Sequence, residues 1–199
     1  MSPRSGKPRG DSGSASRVDG EHRYVALLRG IMPSNPNMRG EKLRGVFSGL
    51  GFSDVGSALA SGNIVFGSAE TDCAALESEI QQALNAELGI AGGTIIRSKQ
   101  QLQALVDSDP FPGLTHSRET YLMVSFLKSA DNVGRKQPPP ELAELVRIVR
   151  YDQPARAVLA IMDNSSPSTP AHMAWLEKAY SKDITTRTWL TVHKILAKL

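Results

Sequence analysis

Residues 120–127 read TYLMVSFL. Side chains alternate across a strand, so Tyr121, Met123 and Leu127 share one face while Leu122, Val124 and Phe126 share the other. Both faces are apolar, which predicts a strand covered on both sides. Tyr24 to Leu28 (YVALL), bounded by Arg29-Gly30, has the same signature near the start of the chain. Two strands that each need cover on both faces restrict the fold to one in which something packs against each side of them.

After YVALL, Ile31 to Asn37 (IMPSNPN) is a proline- and asparagine-rich loop. Leu43, Val46, Phe47 and Leu50 form one helical stripe, with Asn37 as its cap and Gly51 as its stop. Phe52 to Leu59 reads as a weak strand and Asn63 to Phe66 as a firmer one, joined by a Ser61-Gly62 turn. A second helix opens near Asp72, repeats Leu76, Ile80, Leu84 and Leu88, and stops at Gly89. Thr94 to Arg97 is a short strand. Ser98 with Gln101 forms a capping-box pattern for a helix carrying Leu102, Leu105 and Val106, ended by Asp109-Pro110-Phe111-Pro112.

Around TYLMVSFL the order recurs. Pro138 to Pro140 start a short helix carrying Leu142, Leu145 and Val146. Ile148 to Tyr151 and Ala157 to Ile161 form a strand pair around Gln153-Pro154. Thr169-Pro170 reads as a cap followed by proline at the first helical position, and that helix carries Met173, Leu176 and Tyr180. Ile184 to Thr186 is a last strand, and Trp189, Val192 and Leu196 mark a final helix.

Each half therefore reads β-α-β-β-α-β, with no residue-level repeat that stands out. The predicted class is α+β: two ferredoxin-like lobes packed together, with an extra helix after each. The predicted division is a disordered tail at 1–22, a first lobe at 23–97, a helix and connector at 98–118, and a second lobe with its C-terminal helix at 119–199. One helix-covered face per sheet leaves the other open, so the doubly apolar first strands predict that the lobes cover each other.

Forty per cent of the 199 residues are hydrophobic, enough for a core. The formal net charge is +3, mildly basic but short of what phosphate tracking demands. The single cysteine, Cys73, cannot form an internal disulfide, which predicts a reducing, cytoplasmic setting. No apolar run approaches the ~20 residues of a membrane span, and the N-terminus lacks the apolar core of a secretory signal.

Tyr24-Val-Ala-Leu-Leu-Arg-Gly-Ile31, Leu50-Gly-Phe52, Ser61-Gly-Asn-Ile-Val-Phe66, Pro110-Phe111 and Thr185-Thr-Arg-Thr-Trp189 together resemble the bacterial domain-of-unknown-function family 1697 (DUF1697), from about Arg23 to the end. The resemblance implies two ferredoxin-like lobes and no particular activity. The chain also departs from the family pattern. Met32, Pro33, Ser34 and Asn35 replace the tail of a glycine-rich loop. Ala60, Asp109 and Thr188 stand where side-chain amides are common.

Four residues are the candidate ligand site: Arg29, Ser61, Asn63 and Arg187. Two guanidinium forks and a turn with free N–H groups at the lobe junction suit phosphate or carboxylate. The alternative is that the arginines pair with carboxylates or carbonyls and the turn only reverses the chain. The expected partner is an anionic small molecule or nucleic acid, bound without catalysis. An enzyme with an unrecognised polar site at the junction and a partner-binding module using edge strands are the other readings. Nothing in the sequence calls for a cofactor. His22, His116, His172 and His193 show no metal spacing, so no metal is expected. Phosphate-loop, dinucleotide-binding and nucleophile-elbow motifs are absent. Trp189 reads as a core anchor and Cys73 as a small buried core residue. Arg135, Lys136, Arg147, Arg150 and Arg156 are diluted by Glu141, Glu144 and Asp152, as on a solvated face.

Overall fold

A computed structural model describes residues 20–129, 136–165 and 169–199, with the backbone alone at 169 and 170. The first half runs β1 (His22–Leu28), α1 (Gly40–Gly49), β2 (Ser53–Ser57), β3 (Asn63–Ser68), α2 (Cys73–Leu88), β4 (Thr94–Ser98) and α3 (Lys99–Asp107). The second runs β5 (Tyr121–Leu127), α4 (Pro140–Ala143), β6 (Val146–Asp152), β7 (Ala157–Met162), α5 (Thr169–Ala179), β8 (Ile184–Thr188) and α6 (Trp189–Leu196). Each half holds one four-stranded antiparallel sheet, in the order β2-β3-β1-β4 and β6-β7-β5-β8. The protein is thus a mixed α+β molecule.

Local chemistry explains most boundaries. Asp72 caps α2 by accepting from the Ala74 N–H at 2.8 Å, and Gly89 ends it at φ 67°. Ser98 and Gln101 form the full capping box on α3, and Thr188 caps α6 through the Thr191 N–H.

Several expectations need correction. β1 begins at His22, inside the segment assigned to the tail, and Glu21 accepts from the Ser53 hydroxyl; the remainder of that tail lies outside the described residues. Asn37 does not cap α1. Pro36–Met38 forms a separate 3-10 turn capped by Asn35, and Arg39 precedes α1 without a side-chain cap. Val146 belongs to β6 because α4 is a single turn. The side chains of the Thr169-Pro170 reading, and Arg135, lie outside the described residues.

The core has three layers of apolar side chains. Tyr24, Ala26 and Leu28 face α1 and α2, beside Phe47, Phe66, Leu76, Ile80 and Leu84. Met123 and Leu127 face the helical side of the second sheet, with Ile148, Val158 and Leu176. Between the sheets, Val25, Leu27 and Val65 meet Leu122, Val124, Phe126 and Leu159, closed by Leu102 and Leu105 of α3 and Val192 and Ile195 of α6. The doubly apolar strands are covered on both faces because each sheet's open face is the other's cover.

A buried guanidinium crosses this seam. Arg97, in β4 and 0 % exposed, donates from Nε to Ala155 O at 2.5 Å, from Nη1 to Ile96 O at 2.5 Å, and from Nη2 to Leu127 O. Arg97→Met leaves the Ala155 and Leu127 carbonyls of the second half without this donor, while Arg156 O, a longer contact at 3.4 Å, keeps the Leu127 N–H. Leaving each unpaired costs about 1–3 kcal/mol, so urea unfolding is expected to lose roughly 3 kcal/mol or more. Lys, a compact ammonium, recovers only part. A loss below about 1 kcal/mol for Met would contradict this role.

His172 of α5 is 0 % exposed, and neither ring nitrogen has a partner among the described residues. Burial pushes its pKa down from 6.5 to about 4. The unfolded chain binds its proton first, so this stability is complete above pH 6.5 and lost as pH falls toward 4. The expected loss between pH 7 and pH 4 is roughly 3 kcal/mol from this residue. His172→Leu should flatten the acid limb of stability against pH; an unchanged limb would contradict the assignment.

Candidate functional site

The seam repeats its contacts in reverse. In β8, Arg187 pairs in register with Val124, as Arg97 in β4 pairs with Val25. Arg187 donates from Nη2 to Leu28 O at 2.9 Å and Ser61 O at 3.3 Å, and from Nη1 to Thr186 O at 2.9 Å. These are the counterparts of the Leu127, Ala155 and Ile96 carbonyls that Arg97 holds. Each last strand thus sends one arginine to the central-strand end and hairpin turn of the other sheet. An outer pair follows the same pattern: Arg29 Nη2 lies 2.6 Å from Glu177 Oε1, and Lys128 Nζ lies 3.9 Å from Glu77 Oε2.

This geometry places each predicted site residue. Arg187, Ser61 and Asn63 converge, but on one another. Arg187 Nε donates to Asn63 Oδ1 at 2.6 Å, and Nη1 also donates to Thr185 Oγ1 at 2.7 Å. With the three carbonyls above, each guanidinium N–H has an acceptor in the chain. The Asn63 amide donates to Ala58 O at 2.9 Å and Ser61 Oγ at 3.1 Å. Burial lowers the Arg187 pKa to about 10, still charged at neutral pH. Gly62 closes the turn at φ 72°, and a Cβ there would sit 2.5 Å from Ile31 Cγ1. The turn is packed shut rather than open as an anion nest. Arg29 turns away, to Glu177 and to Lys182 O.

The opposite rim is open. A cleft of about 640 Å³ lies between Thr71, Asp72 and Cys73 of the first half and Lys128, Ser129 and Arg156 of the second. Arg156 occupies the position equivalent to Gly62: Leu127 N donates to Arg156 O as Leu28 N donates to Gly62 O. Its Nη1 reaches Lys128 O at 3.1 Å, and it has no carboxylate partner among the described residues. Glu77, whose side chain is 4 % exposed, lines the buried side and accepts from Ile96 N at 2.9 Å. Burial pushes its carboxyl pKa up, against the Ile96 bond and the charges of Lys128, Arg97 and Arg156. Burial also pushes the Cys73 thiol up, so its thiolate is disfavoured as a nucleophile. Two cations facing a cleft can hold an anion of ligand size.

The sequence reading passed over Arg97, Glu77 and Lys128, and placed Arg156 on a solvated face. A signal was present. Arg97-Ser98 recurs as Arg187-Thr188, an arginine followed by a hydroxyl cap, and Leu76-Glu77 recurs as Leu176-Glu177. The wider basic group does not gather. Arg147 is exposed on β6, Arg150 pairs with Asp152 at 3.0 Å, and Lys136 lies over the Tyr180 ring. Cys73 is half-buried at the start of α2, packed against the first core layer. Trp189 packs edge-on against Phe111 beside the seam. Thr188 serves as a helix cap, while Asp109 sits at φ 39° after α3. Among the described residues no histidine, cysteine and carboxylate cluster could hold a metal, and no helix is long and apolar enough to cross a membrane.

No curated protein is significantly similar to the chain. Among solved structures it is similar to a conserved bacterial protein from Streptococcus pneumoniae, at 19 % identity and a TM-score of 0.63, over 89 % of this chain and 98 % of that one. That likeness concerns the fold alone. The family DUF1697, described as a protein of unknown function, matches residues 22–151. With its doubly covered central strands and this match over most of its length, the chain belongs to the DUF1697 family.

Proposed function

We propose that the protein binds a small anionic ligand, a nucleotide or phosphorylated metabolite, in the cleft between Asp72-Cys73 and Lys128-Arg156, without catalysing its conversion. The β-α-β-β-α-β order and sheet order of each half support reading them as ferredoxin-like lobes, so the cleft is a lobe junction. The lone, half-buried Cys73 suits a reducing cytoplasm.

The observation that carries this reading is the difference between two otherwise equivalent rims. On one, Ile31 packs over Gly62 and Arg29 is held by Glu177 at 2.6 Å. On the other, Arg156 replaces the glycine, Lys128 stands 3.9 Å from Glu77, and a cleft opens. Packing alone asks for neither the extra cation nor the space. The original four-residue site moves accordingly: Arg187, Ser61 and Asn63 hold the seam together, and the anion goes to the opposite rim.

Pyrophosphate titrated calorimetrically into the full chain is the test. Lys128→Gln and Arg156→Gln should each weaken binding about 10-fold or more, since a charge-assisted hydrogen bond is worth about 1.5–3 kcal/mol. Arg156→Lys should keep most of the affinity, and Arg147→Gln on the exposed strand all of it. No binding, or binding indifferent to both cleft substitutions, would sink the proposal.

A further inference from the structure

We propose that the cleft takes up its anion together with one proton, which settles on Glu77 as Lys128 turns from that carboxylate to the ligand. This rests on the anion-binding reading of the same cleft. Glu77 Oε1 is fixed by the Ile96 N–H at 2.9 Å, while Oε2 has, among the described residues, only Lys128, at 3.9 Å, too far for a hydrogen bond. The Glu77 side chain is 4 % exposed and that of Lys128 is 38 % exposed, so the cation is free to swing and the carboxylate is not.

The charged groups around Glu77 come from four elements. Lys128 follows β5, Arg156 lies in the β6–β7 turn, Arg97 stands in β4, and Cys73 shares α2, whose capping Asp72 lines the same cleft. Arg97 is committed to the Ala155, Ile96 and Leu127 carbonyls and cannot follow Glu77. An anion drawing on Lys128 and Arg156 therefore removes the mobile positive charge and adds a negative one beside a buried carboxylate. Such a group neutralises rather than stay ionised without a partner. Burial already biases Glu77 that way. On the opposite rim Glu177 is 35 % exposed and holds Arg29 at 2.6 Å, so neither the burial nor the loose, mobile cation of Glu77 recurs there.

The sign follows from linkage. The bound state holds the proton to higher pH than the free state, so affinity rises as pH falls through that window, by up to about 10-fold per pH unit. Sulfate is the probe, because it does not itself titrate between pH 5.5 and 8.5. Calorimetry in buffers of different ionisation heat should show tighter binding toward pH 5.5 and up to one proton taken up per sulfate. Glu77→Gln keeps the Ile96 bond and should bind sulfate with no net proton uptake and no pH dependence. Sulfate binding that needs Lys128 but shows no proton uptake in the unaltered chain, or a pH dependence that survives in Glu77→Gln, would overturn the coupling and leave the anion site standing. No sulfate binding at any pH would overturn the anion site itself.

Discussion

Two guanidinium groups give up water to hold backbone carbonyls on the far side of a seam. Taking such an ion out of water costs several kcal/mol unless its donors are met. Arg97 and Arg187 meet theirs almost wholly with neutral oxygens: the ends of β1 and β5, the hairpin turns, and one asparagine. The exchange also serves the carbonyls. Leu28, Leu127, Ser61 and Ala155 lie where strands end and turns begin, at the margin of an apolar interior that offers no other donor. The charge of Arg97 therefore belongs to the second sheet's hydrogen bonding, and that of Arg187 to the first's. A bidentate carboxylate would tie each arginine to one partner; several carbonyls tie it to a strand end and a turn together, which fixes the orientation of one sheet on the other.

From that constraint the rims follow. With the sheets locked face to face by arginines and by the Val25, Leu27, Val124 and Phe126 layer, Arg29 and Lys128, which follow β1 and β5, flank one small pocket and reach from it to α5 and to α2. One rim is finished as a packed corner. The other carries Arg156 where the first has a glycine, and a lysine where the first has an arginine. Arginine and lysine are not interchangeable here. The planar fork makes a tight pair with a partly exposed glutamate, whereas the flexible ammonium stands off a buried one. A near-symmetric frame thus carries a cleft beside Arg156 and Lys128.

Much of the frame was legible in the sequence. YVALL and TYLMVSFL announce double burial because both alternating faces are apolar, and Ser98 with Gln101 and Asp72 announce helix starts by hydrogen-bond chemistry that acts over three residues. Such local signals survive without tertiary information. Convergence of Arg187 with Ser61 and Asn63 was also legible, but its consequence was not: a guanidinium placed near polar groups reads the same whether its donors are free or consumed. Arg97 was invisible because a short strand ending in arginine gives no hint that the side chain is fully buried. Glu77 and Lys128 were missed because their meeting depends on how two sheets pack, which no local periodicity encodes. Asn37 and Val146 were misplaced by the usual ambiguity of short, proline-flanked turns.

Native-state hydrogen exchange tests the clasp most directly. The amides of β1 and β5, Val25 and Val124 among them, should open with one shared free energy, and Arg97→Lys should lower protection in both sheets by the same amount. If the second sheet exchanges by a separate, cheaper opening while the first stays protected, the two halves are independent lobes and the arginines do not join them.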